Sequence, residues 1–225
     1  VSKAAEIFGA AVQLDDVTDT DRAAFQRELG RPPRGILAVA YRCSHHVPAV
    51  VLTAPRLEDG TPFPTMFYLC CKELNAAVSR MESSGLMKEM TDRLGQDLDL
   101  AAGYRRAHES YLVNRNALGD LGIAVTAGGM PNRVKCLHVL VAHSLAVGRG
   151  VNPLGDEAVD ALGDYFRGDP PCSTLGTAGD VVVGAGTARA VVVGAGTARA
   201  GSIGAGTARA VVIGAGTARA VTDSS

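Results

Sequence analysis

The sequence predicts an α+β fold: a small antiparallel sheet of about three strands covered by a helical layer, then a low-complexity C-terminal repeat tail. Three observations carry this. Short apolar runs at 36–41, 47–53 and 66–70 are joined by connections too short for a helical crossover, so their pairing should be antiparallel. After residue 71 the apolar spacing changes to the helical period. All ten aromatic residues lie before residue 167, whereas residues 173–225 hold 11 of the 27 glycines and no aromatic residue. One α+β domain is therefore expected over residues 1–172, long enough to bury a substantial core, with 173–225 as a flexible tail.

The elements follow in order. A helix is expected over Thr18–Leu29, with Asp and Thr capping residues before it and Gly30 after it. Ile36–Tyr41 and Val47–Thr53 read as strands, and Cys43-Ser44-His45-His46 as the turn between them. Asp59-Gly60 and three prolines make 54–65 a turn-rich loop before a third strand at Met66–Cys70. Leu74, Ala77, Val78 and Met81 then recur at helical spacing until Gly85, followed by helical stretches at Leu86–Leu94 and Asp97–Asn116. Gly128-Gly129-Met130-Pro131-Asn132 is a break. Arg133–Val147 is expected as the most apolar helix and Asp156–Phe166 as a final short one.

The whole chain carries a net charge of −1, composed of a −3 domain and a +2 tail. Neither part has the clustered positive charge that nucleic acid requires. No apolar run is long enough to span a membrane, and residues 1–14 lack the ordered regions of a signal peptide. The five cysteines, Cys43, Cys70, Cys71, Cys136 and Cys172, are odd in number and unevenly spaced, which points to free or metal-bound thiols in a reducing cytoplasm.

Residues 181–220 are four copies of a ten-residue unit, each ending in Gly-Ala-Gly-Thr-Ala-Arg-Ala. A flexible tail is the expectation, and a small β-solenoid the alternative. Val-Val-Val-Gly-Ala-Gly imitates a dinucleotide-binding fingerprint. The third glycine position holds Arg189, however, and no helix fits before the next apolar run, so neither NAD nor FAD is expected.

Two constellations carry chemistry. Cys43 and His45 lie on the first turn, Cys71 at the end of the third strand, and Cys136 and His143 two helical turns apart. Together they form a candidate metal set for zinc or, where thiolates dominate, an iron–sulfur cluster. The alternative is structural: cysteine is among the most buried residue types, and His143 on an apolar helix can be a core residue. The second constellation is basic. Arg34, Arg56, Arg133 and Lys135 are candidates for holding a phosphate or carboxylate, the last two in the first turn of the expected 133–147 helix. That reading predicts a phosphate- or nucleotide-handling enzyme. No Gly-x-Ser-x-Gly elbow marks a hydrolase, and Asp15, Asp16, Asp19 and Asp21 read as helix-entry charge.

Several stretches resemble one bacterial family, the domain of unknown function 501. They are Gly30-Arg-Pro-Pro-Arg-Gly35, the Arg42-Cys43 turn, Thr53-Ala-Pro-Arg-Leu-x-Asp-Gly-Thr-Pro-Phe-Pro-Thr65, and Gly129-Met-Pro-Asn-Arg-Val-Lys-Cys-Leu-His138 followed by His143. The resemblance covers about residues 20–165 and excludes the repeats. It implies no activity. The family's genes often neighbour those of a septum-formation initiator, enolase and an exopolyphosphatase-type enzyme, so it implies partners in septum formation or phosphate metabolism, including a non-catalytic role in cell division or envelope growth. The family pattern places a second cysteine just after the one matching Cys43, where this chain has His45 or His46. It also matches Cys71 to the strand-end cysteine.

Overall fold

The computed structural model describes residues 3–165 except 10, 11, 32, 33 and 124, so Cys172 and the repeats at 181–220 lie outside the described residues. The described chain is α+β, with a three-stranded antiparallel sheet and seven helices. Helix α1 (Lys3–Phe8) is absent from the sequence expectation, because six residues give too short a periodic signal. It buries Ala4 and Phe8, and the Phe8 ring lies 5.7 Å from that of Phe67.

Helix α2 (Asp19–Leu29) starts where its capping residues dictate. Thr18 Oγ1 accepts the Asp21 N–H at 3.1 Å, and Asp21 Oδ2 accepts the Thr18 N–H at 3.0 Å, a reciprocal capping box. Gly30, at φ 67°, ends the helix in the left-handed conformation.

Strands β1 (Ile36–Arg42), β2 (Pro48–Thr53) and β3 (Phe67–Leu69) run in the order β1-β2-β3, with Val39 opposite Val51 and Val51 opposite Tyr68. Alternating residues serve two faces. Ala38, Ala40, Val50, Leu52, Phe67 and Leu69 join the main core under the helical layer. Val39 and Val51 pack with Phe25 and Cys70, so α2 covers part of the opposite face as well. β1 is an edge strand, and the backbone of Asp15 exchanges two hydrogen bonds of 2.9 Å with Val39 on its outer side.

The helical layer comprises α3 (Lys72–Ser83), α4 (Leu86–Leu94), α5 (Leu98–Leu118), α6 (Leu137–Val147) and α7 (Pro153–Tyr165). α6 packs on all three strands and against α3 and α7. That position explains why Leu137, Leu140, Val141, Ala142, His143, Ser144 and Ala146 are all buried. Among the described residues no helix is long and apolar enough to cross a membrane.

Two helix starts differ from the sequence expectation. The helix expected from Arg133 begins at Leu137, because the Gly128 carbonyl accepts the N–H groups of Lys135 (2.7 Å) and Cys136 (3.3 Å) and holds 133–136 outside the helix. The helix expected from Asp156 begins at Pro153. There Asn152 Oδ1 accepts the Gly155 N–H at 3.0 Å, and proline suits the first helical position.

Candidate metal centre

The N-terminal end of α6 meets the C-terminal turn of α3. Cys136 is the N-cap residue of α6 and His138 lies in its first turn, while Glu82 and Ser79 are three residues apart on one face of α3. The approach to Cys136 depends on Gly129, at φ +92°. A Cβ there would stand 2.8 Å from the Arg133 carbonyl oxygen and 2.8 Å from the Lys135 Cβ, so only glycine lets the chain fold back this closely.

Glu82 Oε1 accepts the Leu137 N–H at 2.7 Å, satisfying one of the donors a helix start leaves open, and lies 3.1 Å from His138 Nδ1. Ser79 Oγ lies 3.4 Å from His138 Nε2. One ligand atom each from Glu82, Cys136 and His138 falls within 4.8 Å of the others. The site is open to solvent in part, the His138 and Glu82 side chains being 27% and 25% exposed. The hydrogen bond with Cys136 and the contact with Glu82 outweigh burial and raise the His138 pKa to about 9.

Of the five residues read from the sequence as a metal set, the structure brings Cys136 into this cluster. Among the described residues it is the one group of three His, Cys, Asp or Glu ligand atoms at such range. Cys43 stands in the β1–β2 turn with its N–H on the Val47 carbonyl, and His45 is exposed in the same turn. This turn lies towards the C-terminal end of α6, where Arg42 and His46 line one groove of about 600 Å³ with Leu145 and Gly148. Eleven residues of helix, about 16 Å, separate that end from Cys136. Cys71 is buried at the N-cap of α3.

His143 is a core residue. Its ring stacks on Phe67 at 6.0 Å and meets Tyr111 edge-on at 5.2 Å, and Asn152 Nδ2 lies 3.3 Å from its Nδ1. Burial lowers its pKa to about 4. Glu82 and His138 are absent from the metal set read from the sequence. Cys136-x-His138 was a visible signal, but Glu82 comes from a helix 54 residues earlier than Cys136, and no spacing rule reaches that far.

The basic set is spent differently from the expectation. Arg34 pairs with Asp59 at 2.7 Å and Glu58 at 3.7 Å. Arg56 donates to the carbonyls of Gly60 (2.9 Å), Asp120 (3.1 Å) and Leu121 (2.6 Å), fastening two loops together. Arg133 and Lys135 are exposed on the run before α6 rather than in its first turn.

No curated protein and no solved structure matches the chain. The family model described as "Protein of unknown function (DUF501)" matches residues 39–160, a span that runs from β1 into α7 and contains Glu82, Cys136 and His138. That span is more than half of the sequence, and the chain belongs to this family.

Proposed function

We propose that Glu82, Cys136 and His138 hold one divalent transition-metal ion of the zinc class, leaving a fourth position open, and that the protein acts through this ion. The observation that carries the reading is the convergence of a thiol, an imidazole and a carboxylate within 4.8 Å at the junction of two helices. Zinc accepts all three donor types, and three protein ligands are the pattern of sites that keep a position for water or substrate. The 3.1 Å between His138 Nδ1 and Glu82 Oε1 is close to the ~3.3 Å that two ligands at about 2.0 Å subtend at a tetrahedral ion. A single thiol suits zinc better than an iron–sulfur cluster, which is built on several thiolates. Ser79 steadies the far nitrogen of the ring, as hydrogen-bonding partners of metal-bound histidines do.

Elemental analysis of protein purified without a His tag tests this. About one equivalent of metal is expected, lost in Glu82→Gln, Cys136→Ser and His138→Ala and kept in Cys43→Ser and Cys71→Ser. Less than about a tenth of an equivalent in both aerobic and anaerobic preparations overturns it.

The closeness of the Cys136 thiol to the His138 ring, within 4.8 Å at a helix N-terminus, favours a second reading, a reactive thiol. In metal-free protein that reading expects iodoacetamide to alkylate Cys136 faster than Cys43, with the advantage lost in His138→Ala. Equal rates for the two thiols exclude it.

A further inference from the structure

A buried cation on α5 stands apart from the metal centre. This helix turns Tyr104, Ala107, His108, Tyr111 and Arg115 to the interior. Arg115 continues the apolar stripe by one more helical step, yet it carries a charge and is only 3% exposed. Its Nη2 donates to the Val125 carbonyl at 3.2 Å. Its Nε and Nη1 are buried and have no hydrogen-bond partner among the described residues, and neither has Nε2 of His108, which is 7% exposed.

The two side chains are seven residues apart, two turns along one face, or about 10 Å of axis. After burial, the Arg115 charge is the next cause that lowers the His108 pKa, so the two groups lie within electrostatic range of each other. Other arginines here show the usual solution to partial burial: Arg42 is paired with Asp15 and Asp21, and Arg93 with Glu157. A guanidinium removed from water without a counter-charge is strongly disfavoured, and each buried donor left unpaired adds to that.

We propose that Arg115 and His108 form a binding site for a small oxyanion, a phosphate or carboxylate group, which supplies the missing counter-charge. The donors are closed to solvent in the described conformation. The anion therefore enters when the packing over this face of α5 parts, and its apparent affinity is reduced by the scarcity of that opened form.

Thermal denaturation of the full chain tests the site with three salts at matched ionic strength: sodium phosphate, sodium acetate and sodium chloride. A saturable rise in Tm with phosphate alone identifies a phosphate group as the ligand, and with acetate alone a carboxylate. A rise with both identifies an oxyanion site of broad selectivity. Arg115→Met should abolish the rise while melting no lower than the wild type in chloride, because it removes an unpaired buried charge. If that variant does not fold, Arg115→Lys and His108→Gln should each raise the anion concentration needed for half the shift by about tenfold, the worth of one charged hydrogen bond. No rise beyond that in chloride, or an unchanged rise in these variants, overturns the proposal.

Discussion

His138 and His143 lie five residues apart on α6, and their surroundings make them different chemical objects. His138, in the first turn, touches a thiol and a carboxylate, is partly open to water, and has its pKa raised to about 9. His143, in the middle, lies between the rings of Phe67 and Tyr111, and its pKa is lowered to about 4. The helix is the same; what it is packed against is not. Its start overlies the polar end of α3, and its middle overlies the sheet. Spacing along a helix can bring residues to one face, but only the opposing surface decides whether that face binds or fills.

Four experiments break or sharpen this contrast. The largest effect belongs to the middle of the helix. Leu140→Ala, at a fully buried position, should cost about 2–5 kcal/mol in urea denaturation while leaving the metal content of the folded fraction unchanged. Loss of metal along with stability would show that the two regions are one unit.

The next effect is on pH. The folded value of His143 lies below the usual 6.5, so the unfolded chain takes up the proton first. Stability should therefore fall as pH drops from about 6.5 towards 4, by about 3 kcal/mol at most, and show no contribution from this residue well above 6.5. Denaturation of the wild type and His143→Gln across that range checks it, since the variant should lack this part of the slope.

A smaller effect tests the first turn. Glu82→Ala strands the Leu137 N–H and should cost about 1–2 kcal/mol in addition to losing the metal. Glu82→Gln keeps a hydrogen-bond acceptor, so it should lose metal while retaining most of that stability. The smallest effect is expected from Ser79→Ala, a change on the exposed side, with stability within about 0.5 kcal/mol of the wild type.

Much of the fold was legible. Thr18 and Gly30 mark α2 because a capping box and a left-handed glycine are local devices. Gly85, Asp97 and the short apolar runs of the sheet are local as well. The starts of α6 and α7 were not, because the Gly128 carbonyl and the Asn152 side chain take up backbone donors in ways that spacing does not reveal. The candidate site was half legible for the same reason. Cys136 and His138 are two residues apart in sequence, but Glu82 reaches them only through the packing of α3 on α6, and Cys43 is carried to the other end of α6 by the sheet. Arg115 is absent from the residues singled out in the sequence, although the buried face of α5 runs through it.

The two hydrogen bonds between Asp15 and Val39 have a consequence for how this protein behaves towards its own copies. An uncovered edge strand is a template for pairing with another chain. Here a short guard segment occupies the outward N–H and carbonyl of Val39, and Arg42 latches it by gripping Asp15 at 2.9 Å and Asp21 at 2.8 Å. The Arg42 hydrogen bonds also hold the Asp21 pKa down to about 2, so the Asp21 carboxylate keeps its charge in all but strong acid. Removing that arginine would free the guard segment, and the first expected sign is association between molecules rather than a change at the Glu82, Cys136 and His138 cluster.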